Sequence, residues 1–260
     1  MTVSRTLLPI ALLVLVPDAA MAWPAETMTA LSRDARRLLP RSLSRLLGER
    51  EARIRVEIGR FPADIAQAMA ADIPSGQLRP ETLAALDYET RRVVEMLQEG
   101  RVSEGLLRLG GLLRIPADVA DPILTGVPDG WPAGVPREYY ALLDANLDRM
   151  PVVLDNAEAL DVTREELPDL WQSLLDRSRP QAVVIRTELF REGRVVDHRR
   201  LDYRSPAWAV ASLSYSRAVT GIAATWLAVW RAARGDTTSM GRPRQVAPRD
   251  REVTAETWIP

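Results

Sequence analysis

Pro206-Ala-Trp-Ala-Val-Ala-Ser-Leu-Ser-Tyr215-Ser-Arg217-Ala-Val219-Thr-Gly-Ile222-Ala-Ala-Thr-Trp226-Leu-Ala-Val-Trp230-Arg-Ala-Ala233 is the longest apolar-periodic run in this 260-residue chain. Tyr215, Val219, Ile222, Trp226 and Trp230 recur at helical spacing and form one stripe. Arg217 and the interspersed serines argue against a membrane span. The run therefore reads as the central core helix of an all-α protein. An aromatic stripe can also line a ligand groove, but core packing is its commoner meaning.

Outward from this helix the pattern stays helical. Leu31, Ala35, Leu38 and Leu39 share a face over 29–47, with a break at Pro40 and a second short helical piece after it. Residues 62–71 read as a short helix with proline in its first turn, where a missing N–H costs little. Pro80 opens a longer one, carried by Leu83, Leu86, Thr90, Val93, Val94 and Leu97 until Gly100. Ser103 is the expected cap of a helix over 104–121. Gly126, Pro128, Gly130 and Pro132 punctuate a loop over 125–136. Further helices are expected over 137–148, 163–178 and 180–192, with short extended pieces at 183–185 and 194–196. Beyond Gly235, residues 236–260 lack periodicity and read as a mobile tail. No internal repeat and no second core emerge, so 23–235 reads as a single compact multi-helix domain.

The first 22 residues have the form of a secretory signal. Arg5 supplies the positive start, 7–16 a short apolar stretch, and Ala20-Met-Ala22 small residues for cleavage. A buried N-terminal helix is the competing reading, which Pro17 and Asp18 disfavour. Cleavage after Ala22 would expose Trp23 as a new N-terminus, and no cysteine is present there for lipid attachment. The expected location is periplasmic or secreted. With no cysteine anywhere, core packing alone must hold the exported domain together, and about 240 residues suffice for that. The 34 basic residues are all arginine and are balanced by 35 acidic ones. Near-neutrality gives no general attraction to nucleic acid or anionic lipid. Arg36-Arg37, Arg91-Arg92 and Arg199-Arg200 read as solvated faces.

Two motifs carry a family resemblance. Trp23-Pro-Ala-Glu-Thr-Met28, an amphipathic helix and then Leu39-Pro40 resemble the mature start of the zinc-dependent phospholipase C and single-strand-specific nuclease superfamily, where Trp-Gly-x-x-x-His is usual. Leu109-Gly-Gly-Leu-Leu-Arg114-Ile-Pro-Ala-Asp118-Val-Ala-Asp-Pro122-Ile-Leu124 is similar to the family's Leu-Gly-x-x-x-His-x-x-x-Asp-x-x-x-Pro-x-His. Gly59-Arg-Phe-Pro62-Ala-Asp64 resembles, with one extra residue, the family's Gly-x-x-Pro-Asp. The likeness runs patchily from Trp23 to about Ala233 and implies the family's helical fold, a cluster of three zinc ions and phosphodiester hydrolysis. It also implies that Trp23 would bind zinc through its α-amino nitrogen and carbonyl oxygen.

The departures fall where metal should sit. Met28, Arg114 and Leu124 stand at three histidine positions, while Asp118 and Asp64 keep their carboxylates. The later His-x-x-x-Glu pair has no counterpart near 134–144, where Glu138 and Asp144 are the acids. Zinc needs imidazole, thiolate and carboxylate donors, and the chain has one histidine, His198, outside any matched ligand position. On a helix, Arg114 and Asp118 would form an i, i+4 salt bridge in place of the metal site. Arg114 turned to solvent is the competing reading, and Pro116 between the two threatens a kink. His198 beside Asp197 and Asp202 suggests a hydrolase base, but no Gly-x-Ser-x-Gly elbow accompanies it. Gly110-Gly111 reads as a site of close helix packing rather than a phosphate loop.

The expectation is an exported pseudoenzyme without a cofactor, binding a phosphorylated small molecule, a lipid headgroup or an envelope protein. The alternative is a phosphoester hydrolase that uses calcium or magnesium on Asp64, Asp118, Asp121 and the Trp23 amino group.

Overall fold

Ser205 begins the long C-terminal helix: its Oγ accepts from the Trp208 N–H at 3.2 Å, and Pro206 stands in the first turn. In the computed structural model, which describes residues 23–127, 129–154 and 160–238, this helix runs Pro206–Ala232. Every residue from Ala218 to Val229 is buried, so its middle is enclosed on all sides rather than along one stripe. Trp230, the last of the stripe, is half-buried. The buried polar side chains of this helix are paired, as burial favours. Thr225 Oγ1 accepts from Trp171 Nε1 at 3.1 Å, Trp226 Nε1 donates to the Leu109 carbonyl at 2.6 Å, and Tyr215 Oη donates to Asp34 Oδ2 at 2.8 Å.

Around it lie α1 (Ala25–Arg36), α2 (Arg41–Gly48), α3 (Glu51–Ile58), α4 (Ala63–Asp72), α5 (Pro80–Gln98), α6 (Val102–Gly111), α7 (Arg114–Ala120), α8 (Val135–Asp144) and α9 (Leu167–Leu189). The long helix is α10. Helices α1, α5, α7, α8 and α9 all touch it, and one continuous apolar core joins them. The protein is mostly helical, and no described helix is long and apolar enough to cross a membrane. The expected signal segment and the expected tail from 239 on lie outside the described residues, as does Pro128 of the expected loop. The start of the expected tail is tethered: the Asp236 carbonyl accepts from Ser42 Oγ at 3.2 Å and from Trp230 Nε1 at 3.0 Å.

Four expectations need correction. Residues 104–121 are two helices, because Pro116 has no N–H for the Leu112 carbonyl; that carbonyl accepts from Ile115 instead, in a tighter turn. Ser103 is not the cap, since α6 already starts at Val102. Helices 163–178 and 180–192 are one helix, α9, with Pro180 inside it and 183–185 helical rather than extended. Arg217 Nη1 donates to the Arg177 carbonyl at 3.1 Å, close to where Pro180 interrupts the ladder. Helix α3 was not expected: only Ile54 and Ile58 are buried on it, too few to show a period.

After α9 the chain forms a small hairpin, β1 (Phe190–Arg191) with β2 (Arg194–Val195), paired Phe190↔Val195 and Arg191↔Arg194. Its two-residue turn puts Glu192 at φ 51° and Gly193 at φ 75°, the left-handed geometry that matches strand twist.

Gly221 lets α10 approach its neighbours. A Cβ there would lie 2.7 Å from Leu174 Cδ1 on α9 and 2.9 Å from Pro116 Cβ on α7. Leucine can rotate away, but the proline ring cannot. Gly221→Ala should therefore destabilise by about 1–3 kcal/mol despite alanine's better helix propensity, measured as a lower urea midpoint with an unchanged slope. Gly110 plays the same part for α3, where a Cβ would meet Ile54 at 2.6 Å.

Candidate functional site: a buried ionic cluster on α7

The break before α7 decides the geometry at Arg114. Because α7 starts there, Pro116 falls in the first turn, where backbone N–H groups have no intrahelical acceptor and a missing one costs little. Arg114 and Asp118 then share a face. Arg114 Nε donates to Asp118 Oδ2 at 3.1 Å, with side chains 13% and 7% exposed. The guanidinium also stacks over Phe61, its Cζ 5.8 Å from the ring centroid. Arg114 thus turns inward. Burial still lifts the Asp118 carboxyl to about 6, against the opposing pull of Arg114.

One turn on, just past the helix, Asp121 is fully buried. Its Oδ1 accepts from the Ile123 N–H and its Oδ2 from Tyr140 Oη on α8, each at 2.8 Å. Burial pushes its carboxyl up to about 8; the donors lower it, and the Asp118 charge raises it. The Tyr140 hydroxyl is itself held far above its ordinary value by burial and by Asp121, so it stays protonated and donates. A carboxylic acid that is neutral near pH 7 sits beside an ion pair.

The other positions singled out in the sequence spread around this cluster. Trp23 is 1% exposed, and its Nε1 donates to the Ala117 carbonyl of α7 at 2.8 Å. Met28 is buried on α1 and Leu124 half-buried beyond α7. Neither offers a donor. Asp64 is exposed in the first turn of α4. Asp144 accepts from Thr27 Oγ1 at 2.6 Å, which ties α8 to α1. Zinc chemistry does not fit this set: the three histidine positions present a thioether, a guanidinium and an isobutyl group. Among the described residues, Asp64, Asp118 and Asp121 do not converge into a set of metal-ligating atoms either.

His198 has a partner that the sequence did not suggest. It lies in the 3-10 turn His198–Arg200, and Asp197 caps that turn by accepting from the Arg199 N–H at 2.9 Å. Glu138 on α8 reaches it across 60 positions, with Oε2 2.8 Å from the ring Nδ1 and 3.1 Å from the backbone nitrogen. These His198 contacts, with smaller help from Arg137, hold the Glu138 carboxyl down at about 2. Asp202 is engaged elsewhere, accepting from the Arg204 N–H at 2.9 Å. Sequence spacing carries no signal for the Tyr140–Asp121 or Glu138–His198 contacts, which α8 creates by lying between two distant segments. No family model, no curated protein and no solved structure matches the chain.

Proposed function

We propose that the chain is an exported, noncatalytic member of the zinc-dependent phospholipase C and nuclease superfamily, acting as a binding or scaffold protein. The observation that carries this reading is the inward Arg114–Asp118 pair at 3.1 Å. A permanent cation there neutralises the carboxylate that the family would turn to a metal, and a guanidinium has no lone pair to donate. Partners consistent with the reading are a phosphorylated small molecule, a lipid headgroup or an envelope protein. The rival hydrolase reading requires carboxylates to gather around calcium or magnesium. Its three acids are dispersed: Asp64 faces solvent, Asp118 is engaged by Arg114, and Asp121 is engaged by Tyr140.

Turnover is the test. Purified protein given bis(p-nitrophenyl) phosphate, single-stranded DNA or phosphatidylcholine vesicles, with Zn²⁺, Mg²⁺ or Ca²⁺ added, should hydrolyse none of them above background. Stoichiometric metal together with turnover that a chelator abolishes would overturn the proposal.

A further inference from the structure

The single imidazole of this chain stands in a setting that none of the foregoing uses. Among the described residues, Glu138, Asp197 and His198 form the one group whose potential ligand atoms all lie within 4.8 Å of each other. His198 Nδ1 is 2.8 Å from Glu138 Oε2 and 3.5 Å from Asp197 Oδ1. Donors that bind one first-row divalent ion at about 2.0–2.2 Å stand roughly 3 Å apart. The His198–Glu138 spacing matches, and the half-exposed Asp197 carboxylate lies within side-chain reach of both.

Rigidity and charge agree with the spacing. Glu138 stands in the first turn of α8, and its Oε2 receives the His198 backbone N–H, which fixes carboxylate and imidazole relative to each other. Arg137 takes up the other oxygen, Oε1, through Nε at 3.2 Å and Nη2 at 3.0 Å, which leaves Oε2 directed to the imidazole. Two carboxylates beside one imidazole supply the mixed oxygen and nitrogen donor set that such an ion takes. The His198 side chain is 19% exposed and that of Asp197 51%, so water can reach the group and complete a coordination shell.

The geometry points to a binding site for one borderline divalent ion, Zn²⁺ or Ni²⁺ rather than Ca²⁺ or Mg²⁺, held by Glu138, Asp197 and His198. Imidazole selects these ions, whereas hard cations take oxygen-only sets. Coordination through Nδ1 requires the tautomer that carries its proton on Nε2, so the hydrogen bond to Glu138 Oε2 is exchanged for the shared ion with no net loss of a proton from the neutral ring. The ion would bridge α8 to the turn after the hairpin. The site lies apart from Arg114 and Asp118 in sequence and does not depend on the proposed ancestry. Uptake here without turnover leaves the noncatalytic reading intact.

With one histidine in the chain, the readout is unambiguous. The full protein, stripped with chelator and titrated with Zn²⁺ at pH 7.5, should take up one equivalent, and the imidazole ¹⁵N spectrum should show the metal shift on Nδ1. His198→Gln keeps a donor toward Glu138, and Asp197→Asn keeps the turn cap. Each should weaken Zn²⁺ at least as much as losing an outer-shell partner does, about 10–100-fold, while the metal-free thermal midpoints stay at the parent value. Absence of saturable uptake, uptake that His198→Gln leaves unchanged, or a shift on Nε2 instead of Nδ1 overturns the assignment.

Discussion

Asp121→Asn should stabilise the protein by about 4 kcal/mol at pH 7 and be nearly neutral at pH 4. Asparagine removes the buried charge and keeps the shape: its carbonyl can accept from the Ile123 N–H, and its amide can donate to Tyr140 Oη, which then accepts where it now donates; the two partners lie at 2.8 Å. The wild-type carboxyl has a folded pKa of about 8 against an ordinary 3.8. Its stabilising contribution is complete below pH 3.8 and is lost as pH rises toward 8, because folding above 3.8 must draw a proton from solvent. Asp118, at about 6, adds a loss of the same sign between pH 3.8 and 6. Glu138 has the opposite sign. With a folded value of about 2 against 4.5, its contribution is present above pH 4.5 and disappears as pH falls toward 2. Wild-type stability should therefore peak near pH 4, where the two aspartate losses overtake the Glu138 gain, and urea titrations from pH 3 to 9 check both the peak and its flattening on the alkaline side in Asp121→Asn. A maximum near pH 7 in the wild type would contradict the buried, proton-binding character of Asp121.

Arg114→Met should destabilise by about 3–5 kcal/mol at pH 8, the cost of leaving one partner of a buried pair uncompensated. Methionine keeps much of the bulk over Phe61 but removes the charge that lies 3.1 Å from Asp118. The loss should shrink at pH 5, where the stranded Asp118 takes up a proton. Adding Asp118→Leu should recover most of it, because a buried ion pair replaced on both sides by apolar groups is often neutral. Urea unfolding of the two single variants and the double variant at both pH values gives the coupling directly. If Arg114→Met costs less than about 1 kcal/mol at pH 8, the pair behaves as a surface bridge. The site would then not be closed in the way proposed.

The Arg114–Asp118 pair also shows why the sequence reading succeeded there. Four-residue spacing on a helix is a local constraint that short-range geometry enforces, and breaking the helix at Leu112–Leu113 relieved the one local conflict, Pro116. Asp64 shows the opposite case. Its motif resembled a ligand position, yet Ile65 and Met69 are the residues α4 turns into the core, which leaves Asp64 on the solvent side.

By itself the sequence determined that the chain is helical, that 206–233 forms its central helix, that Pro40 separates α1 from α2, and that residues 114 and 118 face the same way. All of these follow from periodicity and proline stereochemistry within a few turns of chain. Only the tertiary structure decided that α9 is continuous through Pro180, that Asp121 is sealed against Tyr140, and that Glu138 meets His198. Those outcomes depend on which surfaces α10 and α8 bring together, and on the loss of water around each carboxylate. A pattern confined to neighbouring residues does not encode either one.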